Sequence, residues 1–383
     1  MAPMCGNQIH LRLRQTGLSL IELMIALVVG LILIAGVLSI FISSRQGYSV
    51  NTAVARVQEN GRFALDFIHN DTRMAGYMGC ATSTQVVNYL NPLSGSNLPY
   101  DFTVALTGYE FTGTAPGDIY PAAPASPAEN PGPDTNTGDW SPALDSSLQN
   151  RVIPGTDVLV VRFSRGGDPV YITSIPGSVS PGSPSADFQI NMNGGIQTGD
   201  LMAITNCLST VVMQATQVNG GGTNVVHNTG SGSPGNAIQG LPADFTGAQV
   251  MLAPTTIVFF IGQGTDGSPA LFEAVTDTTQ ANGFSYEELV PGVENMQVLY
   301  GVDLTGTRIP SEYETAAAVA AAGDWSNVVS VRIALLVRSD EGAMLLPATA
   351  PVYNLLGTSI TVPRDTRLRR IFTATIAIRN RLQ

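Results

Sequence analysis

The sequence contains no lysine, so all 18 of its basic residues are arginines. Charge of any kind is scarce, at 12% of 383 residues, and the formal net charge is −11. A surface so poor in cations excludes general nucleic-acid binding. Six of the arginines lie between Arg364 and Arg381, and the plain reading of that cluster is the solvated ends of an edge strand. Histidine is also rare. Apart from His10 there are only His69, in a helical stretch, and His227, in a Gly-rich loop. Neither stands in a Ser-His-Asp or Cys-His pattern, and both read as surface or satisfied residues. There is no Walker loop and no G-x-G-x-x-G after a strand, and Gly220-Gly-Gly222 reads as a flexible turn. Asp134-Thr-Asn-Thr-Gly-Asp139 resembles part of a calcium loop, but its glycine comes one position early and no glutamate closes it. The expectation is a protein without catalytic residues, metal or cofactor. The three cysteines, Cys5, Cys80 and Cys207, form no C-x-x-C pair, which removes the basis for zinc or thioredoxin-like chemistry.

What is present is apolar and rich in turns. Hydrophobic residues make up 44% of the chain, beside 40 glycines and 24 prolines. That balance predicts an ample core built of many short strands. One long apolar run stands apart: Leu18 to Ile42, LSLIELMIALVVGLILIAGVLSIFI, about 25 residues and long enough to cross a bilayer as a helix. Arg12 and Arg14 precede it, and no acidic residue occurs in the first seventeen. The positive-inside rule then puts the N-terminus in the cytoplasm and the remainder in the periplasm. A secretory signal would be cut after the run at a small-x-small pattern, a region largely filled by Ile40-Phe41-Ile42, although Ser39 and Ser43-Ser44 keep a cryptic site open. A plain signal anchor explains the run and the arginines but not Glu22.

A charged, unpaired carboxylate at that depth costs roughly 2.5 to 3.5 kcal/mol on insertion scales. Cutting between Gly17 and Leu18 would create an α-amino group about one helical turn from Glu22. That amine could neutralise Glu22 or the same carboxylate of a neighbouring subunit. Gly17-Leu18-Ser19-Leu20-Ile21-Glu22-Leu23-Met24 resembles the class III signal of type IV pilins and type II secretion pseudopilins. The resemblance implies cleavage after Gly17 by a prepilin peptidase, N-methylation of Leu18, and Glu22 as the assembly carboxylate. It departs from many major pilins, which carry Phe and Thr where this chain has Leu18 and Ser19, and so points away from a major subunit.

Beyond the run, Val50, Val54, Val57, Gly61, Ala64 and Ile68 recur every three or four residues, with Arg56, Glu59, Arg62 and Asp66 on other faces. This predicts an amphipathic extension with a bend near Gly47 and an end in Ala75-Gly-Tyr-Met-Gly79. The expected organisation is a leader over 1–17, a transmembrane helix over 18–42, an extension over 43–79 and a periplasmic β-rich domain over 80–383. Strands are expected at Val158 to Phe163, Leu201 to Thr205, Ile257 to Ile261, Met296 to Val302, Val329 to Val337 and Ile371 to Ile378. The last three alternate with period two and predict a half-buried antiparallel sheet. Three stretches, Thr114 to Pro142, Ser174 to Ser185 and Asn219 to Gly235, read as irregular surface loops. Removal of residues 1–17 leaves Cys80 and Cys207 in an oxidising compartment, where a disulfide is expected, with two buried free thiols as the alternative.

Pro291-Gly-Val-Glu-Asn-Met-Gln-Val-Leu-Tyr-Gly-Val-Asp303 resembles a signature of PilW-type minor pilins, and Arg369-Arg-Ile-Phe-Thr-Ala-Thr-Ile-Ala-Ile-Arg-Asn380 resembles their C-terminal strand. Together with Gly76-Tyr-Met-Gly-Cys80, these segments imply an α+β pilin-like fold, a long N-terminal helix packed on a mainly antiparallel sheet domain with long loops. The family role implied is priming of type IV pilus assembly at the filament tip. The implied partners are other minor pilins, the major pilin, the prepilin peptidase and the inner-membrane assembly platform, and the implied location is the inner membrane or the extracellular pilus. A type II secretion pseudopilin and a membrane-anchored tip adhesin are the alternatives.

Overall fold

No proline interrupts the chain between Pro3 and Pro92, and a single α-helix, Leu20–Arg73, occupies most of that interval. The computed structural model describes residues 17, 19–80, 85–92, 97–122, 127–166, 170–176, 186–241, 245–340 and 342–381. Residues 1–16, with the leader arginines and Cys5, lie outside the described residues, as do Leu18 and most of the Ser174 to Ser185 stretch. Two compact units emerge, residues 1–52 and 53–383.

In the first unit the helix is exposed on every face, with Leu20, Ile32, Val37 and Ile40 all more than 60% accessible. In the second unit the same helix buries Val57, Gly61, Ala64, Ile68 and Thr72, a stripe at three- and four-residue spacing. Helical assignment runs unbroken through Gly47 and Gly61. It stops at Arg73, before the residues expected to close it, and Gly76 then turns the chain at φ +76°. The Gly76 N–H donates to Arg162 O at 2.8 Å, so a strand rather than the helix takes up that backbone group.

Among the described residues the strands of the second unit form four sheets, of eight, six, four and three strands. The six-stranded sheet runs, in order, Phe284–Pro291, Pro269–Thr276, Pro254–Gln263, Val158–Ser164, Leu106–Phe111 and Trp140–Ser141. The four-stranded sheet runs Glu312–Glu314, Val293–Val302, Val328–Arg338 and Arg369–Ala377, antiparallel throughout. One cluster joins both sheets to the helix: Val57, Ala64 and Ile68 pack with Val161, Phe259, Met296, Val298, Ile333 and Leu335.

The predicted half-burial of the last three strands is correct only for Arg369–Ala377, whose residues alternate between covered and exposed. Val328–Arg338 and Val293–Val302 are covered on both faces. Val331, Ile333, Leu335 and Val337 face the helix cluster, while Ala334 and Leu336 pack under Leu355, Ile360 and Val362. The cover comes from a small sheet, Val352–Leu355, Thr358–Thr361 and Ile119–Tyr120, whose strands are too short to signal themselves by periodicity.

Two expected loops also hold regular structure. Thr114 to Pro142 contains Ile119–Tyr120 and the edge strand Trp140–Ser141, and Trp140 is buried with its indole N–H donating to Thr156 O at 2.8 Å. Asn219 to Gly235 contains Asn224–Val226, paired on one side with Gln217–Asn219 and on the other with Asp187–Ile190. Residues 220–223 turn this hairpin with three successive glycines at positive φ, Gly220, Gly221 and Gly222, a conformation only glycine adopts freely.

The eight-stranded sheet takes residues from Gln85–Asn88 to Gln249–Leu252 and has its own core around Phe188, Met202, Ile204, Val211 and Phe245. A disulfide joins Cys80, just past the helix, to Cys207, in the turn between Leu201–Thr205 and Ser209–Gln214, with Cα atoms 5.3 Å apart. The bridge closes a separation of 127 residues, so on the loop-entropy argument it stabilises by about 4 to 5 kcal/mol at most. Replacing both cysteines by serine is expected to lower the urea midpoint of the full-length chain in detergent. The same midpoint in wild type and double variant would show that the bridge contributes nothing.

Candidate assembly site

The N-terminal site is built on a helix start. Ser19 precedes the first helical residue, and its hydroxyl oxygen accepts the Glu22 N–H at 3.3 Å. In return Glu22 Oε2 accepts the Ser19 N–H at 3.0 Å and the Ser19 hydroxyl at 3.2 Å. This reciprocal pair is a capping box, in which each residue satisfies a backbone donor that the helix leaves open. The carboxylate also lies at the positive end of the helix dipole. Glu22 therefore has a local partner as well as the intersubunit role expected for it. The signal was legible as Ser-x-x-Glu directly ahead of an apolar run, and the argument from membrane cost alone missed it.

Gly17 is exposed. The helix that follows holds a window of mean hydropathy 3.1 with none of its residues buried. Among the described residues it is the one helix long and apolar enough to span a bilayer.

In the second unit Gly61 lets the sheet approach the helix: a Cβ there would run into the Phe372 ring. The opposite side of the helix is not wholly polar. Phe63 and Phe67, at i and i+4, are 50% and 44% accessible.

The C-terminal arginines correct an expectation. Arg370 and Arg379 are exposed, but Arg369 is buried and Arg367 partly so. Arg369 donates from Nε to Glu294 Oε2 at 2.6 Å, and from Nη1 and Nη2 to the two oxygens of Asp365 at 2.7 and 2.6 Å. Arg338, at the end of the neighbouring strand, donates to Glu129 O at 2.7 Å and Glu294 Oε1 at 3.4 Å. Burial opposes the charge on Arg369, but the hydrogen bonds to Asp365 and Glu294 outweigh it and hold the guanidinium above its ordinary pKa. The register explains the cluster: Arg338 lies opposite Arg369, so two like charges meet across the sheet and both need Glu294. His227 is a second correction. It is buried beside Phe188, neither ring nitrogen has a partner, and burial draws its pKa down to about 4.

The family of the Type IV Pilus-assembly protein W matches residues 258–380, and the prokaryotic N-terminal methylation motif matches residues 12–38. Both matches support a type IV minor pilin of the PilW type. Pilin-family domains of this kind are structural, and the methylation motif over the apolar helix makes this one a single-pass, membrane-anchored pilin. No curated protein and no solved structure matches the chain. The PilW match covers the whole four-stranded sheet, two strands of the six-stranded sheet with part of Pro254–Gln263, and Glu294 with Arg338, Asp365 and Arg369. The eight-stranded sheet, within residues 85–252, lies outside both matches.

Glu294→Ala removes the carboxylate shared by two buried guanidinium groups. Breaking a buried ion pair by removing one partner costs about 3 to 5 kcal/mol; Arg369 keeps Asp365, so a chemical-denaturation series on the variant should read a loss toward the lower end of that range. A variant as stable as wild type would mean that water replaces Glu294 without cost.

Proposed function

We propose that this pilin primes type IV pilus assembly at or near the filament tip, after a prepilin peptidase cuts between Gly17 and Leu18 and methylates Leu18. The observation that carries the reading is Glu22, exposed at the start of an unburied apolar helix and held there by Ser19. In lipid a fixed carboxylate of this kind is satisfied by an ammonium group, and the amine freed at Leu18 supplies one, on the same subunit or its neighbour. Residues 1–17 are the leader, 18–42 the membrane and assembly segment, 43–79 its extension and 80–383 the periplasmic body. Phe63 and Phe67 give the extension a second apolar face for neighbouring pilins. The partners in this reading are other minor pilins, the major pilin and the inner-membrane assembly platform.

The mature N-terminus tests the reading most directly. Mass and sequence from cells with prepilin peptidase should give a chain starting at methylated Leu18, and cells without it should hold the uncut chain. A cut after the apolar run, or none in either strain, would remove the basis for the assembly role. Deletion should reduce surface pili, whereas a loss of exoprotein secretion with normal piliation would assign the chain to a type II secretion system. Glu22→Ala should leave processing intact and lower incorporation into pili.

A further inference from the structure

Leu106–Phe111, the approach to Val158–Ser164 and Val293–Val302 converge on polar side chains that pilus assembly does not call upon. Glu110 and Asp157 are 4% and 2% exposed. Asp157 is fixed by backbone donors on both oxygens, Phe111 N–H at 3.2 Å and Val298 N–H at 2.8 Å. Glu110 Oε1 accepts the Thr114 hydroxyl at 3.4 Å, and Asp157 takes the N–H of Phe111, the residue next to Glu110, so the two buried carboxyls are neighbours. Two ionised carboxylates side by side and away from water repel each other, which favours one shared negative charge over two. The other groups that act on the pair are Asp118 and Tyr300, both anionic when ionised. Glu110 Oε2 and the Tyr300 hydroxyl are buried without partners, so a second negative charge would go unsolvated.

We propose that Glu110 and Asp157 form a proton-held latch, which clips the Leu106–Phe111 strand and the turn after it onto the body and loosens when the pair loses its proton. The turn reaches far. Gly117 N–H donates to Gly357 O at 3.0 Å, Ser359 N–H to Asp118 O at 2.9 Å, and the Thr358 hydroxyl to Thr114 O. The turn leads into Ile119–Tyr120 and thereby holds the small sheet that covers Ala334 and Leu336. Loosening at Glu110 therefore uncovers the outer face of Val328–Arg338.

Burial pushes the Glu110 carboxyl up from 4.5 to about 7. It also raises Asp157 well above the ordinary carboxylate range, with the Glu110 charge adding to the effect. A carboxyl whose folded pKa lies above its unfolded one binds protons more tightly when folded. Its stabilisation is complete below pH 4.5 and is lost as the pH climbs through about 7. The latch is independent of the pilin reading and stands or falls without it.

The chain's two tryptophans flank the latch and report on it. Trp140 meets the Phe111 ring edge-on at 4.9 Å, and Trp325 meets Tyr300 at 5.0 Å. Urea unfolding of the full-length protein in detergent, followed by tryptophan fluorescence from pH 5 to 8, should be compared with Glu110→Gln. Asp71 and Glu273 are also raised by burial and give a slope of the same sign, so the readout is the difference between the two profiles. The wild-type folding constant should fall on the order of a hundredfold relative to the variant over this range, with Asp157→Asn flattening the profile as well. Parallel profiles, or wild-type stability that rises with pH, overturn the latch. Should neither variant fold, hydrogen exchange on wild type decides. Amides of residues 112–118 and 357–359, corrected for intrinsic rate, exchange faster above pH 7 if the latch exists, and unchanged protection overturns it.

Discussion

The Val328–Arg338 strand has no exposed residue, and the body of the protein is arranged around that constraint. A strand covered on one face needs one packing partner, whereas this one needs two. The helix stripe and the six-stranded sheet supply the first, and the small sheet containing Ile119–Tyr120 supplies the second. Polar residues along the strand survive only where they are matched. Ser330 meets the Tyr313 hydroxyl at 3.2 Å, Arg332 lies over the Tyr313 ring at 3.9 Å, and Arg338 ends in the Glu294 cluster. Each match brings in a further element, so burial of one strand recruits the 312–314 edge and the C-terminal strand into one core.

The central strands were legible because each carries an apolar run long enough to signal itself. Leu201–Thr205 and Val158–Ser164 lie where the pattern put them. Burial on both faces was not legible in Val328–Arg338, since the alternation of Ser330 and Arg332 with valine is also the pattern of a half-solvated strand. The partners that make those polar residues acceptable come from short segments, Glu312–Glu314 and Thr358–Thr361, far away in the chain or masked by turn formers. The arginine cluster misled for a related reason. Charge density is local in sequence, but the decision to bury Arg369 rests on Glu294, 75 residues away.

At the N-terminus the capping box was present in the letters as Ser19-x-x-Glu22. The capping role of Glu22 is compatible with the assembly role proposed for it. The box fixes the rotamer of the carboxylate and leaves Glu22 exposed beside the helix start, where a preorganised side chain loses less entropy on meeting an ammonium group. The serine after Leu18 then has a physical reason, because it holds the glutamate in position before any neighbour arrives.

The regions that match PilW and the methylation motif contain most of the apolar run, the strand that meets the helix at Phe372, and Glu294 with the arginines it holds. The eight-stranded sheet is different in kind. It has a separate core, it lies outside both matches, and its covalent tie to the helix end is the Cys80–Cys207 bridge. A layer with its own core can change in sequence without disturbing the packing of Val328–Arg338, because few of its contacts enter that core. Residues 85–252 are therefore of two kinds: the eight-stranded sheet packs chiefly on itself, whereas Leu106–Phe111 and Val158–Ser164 belong to the core that meets the helix stripe.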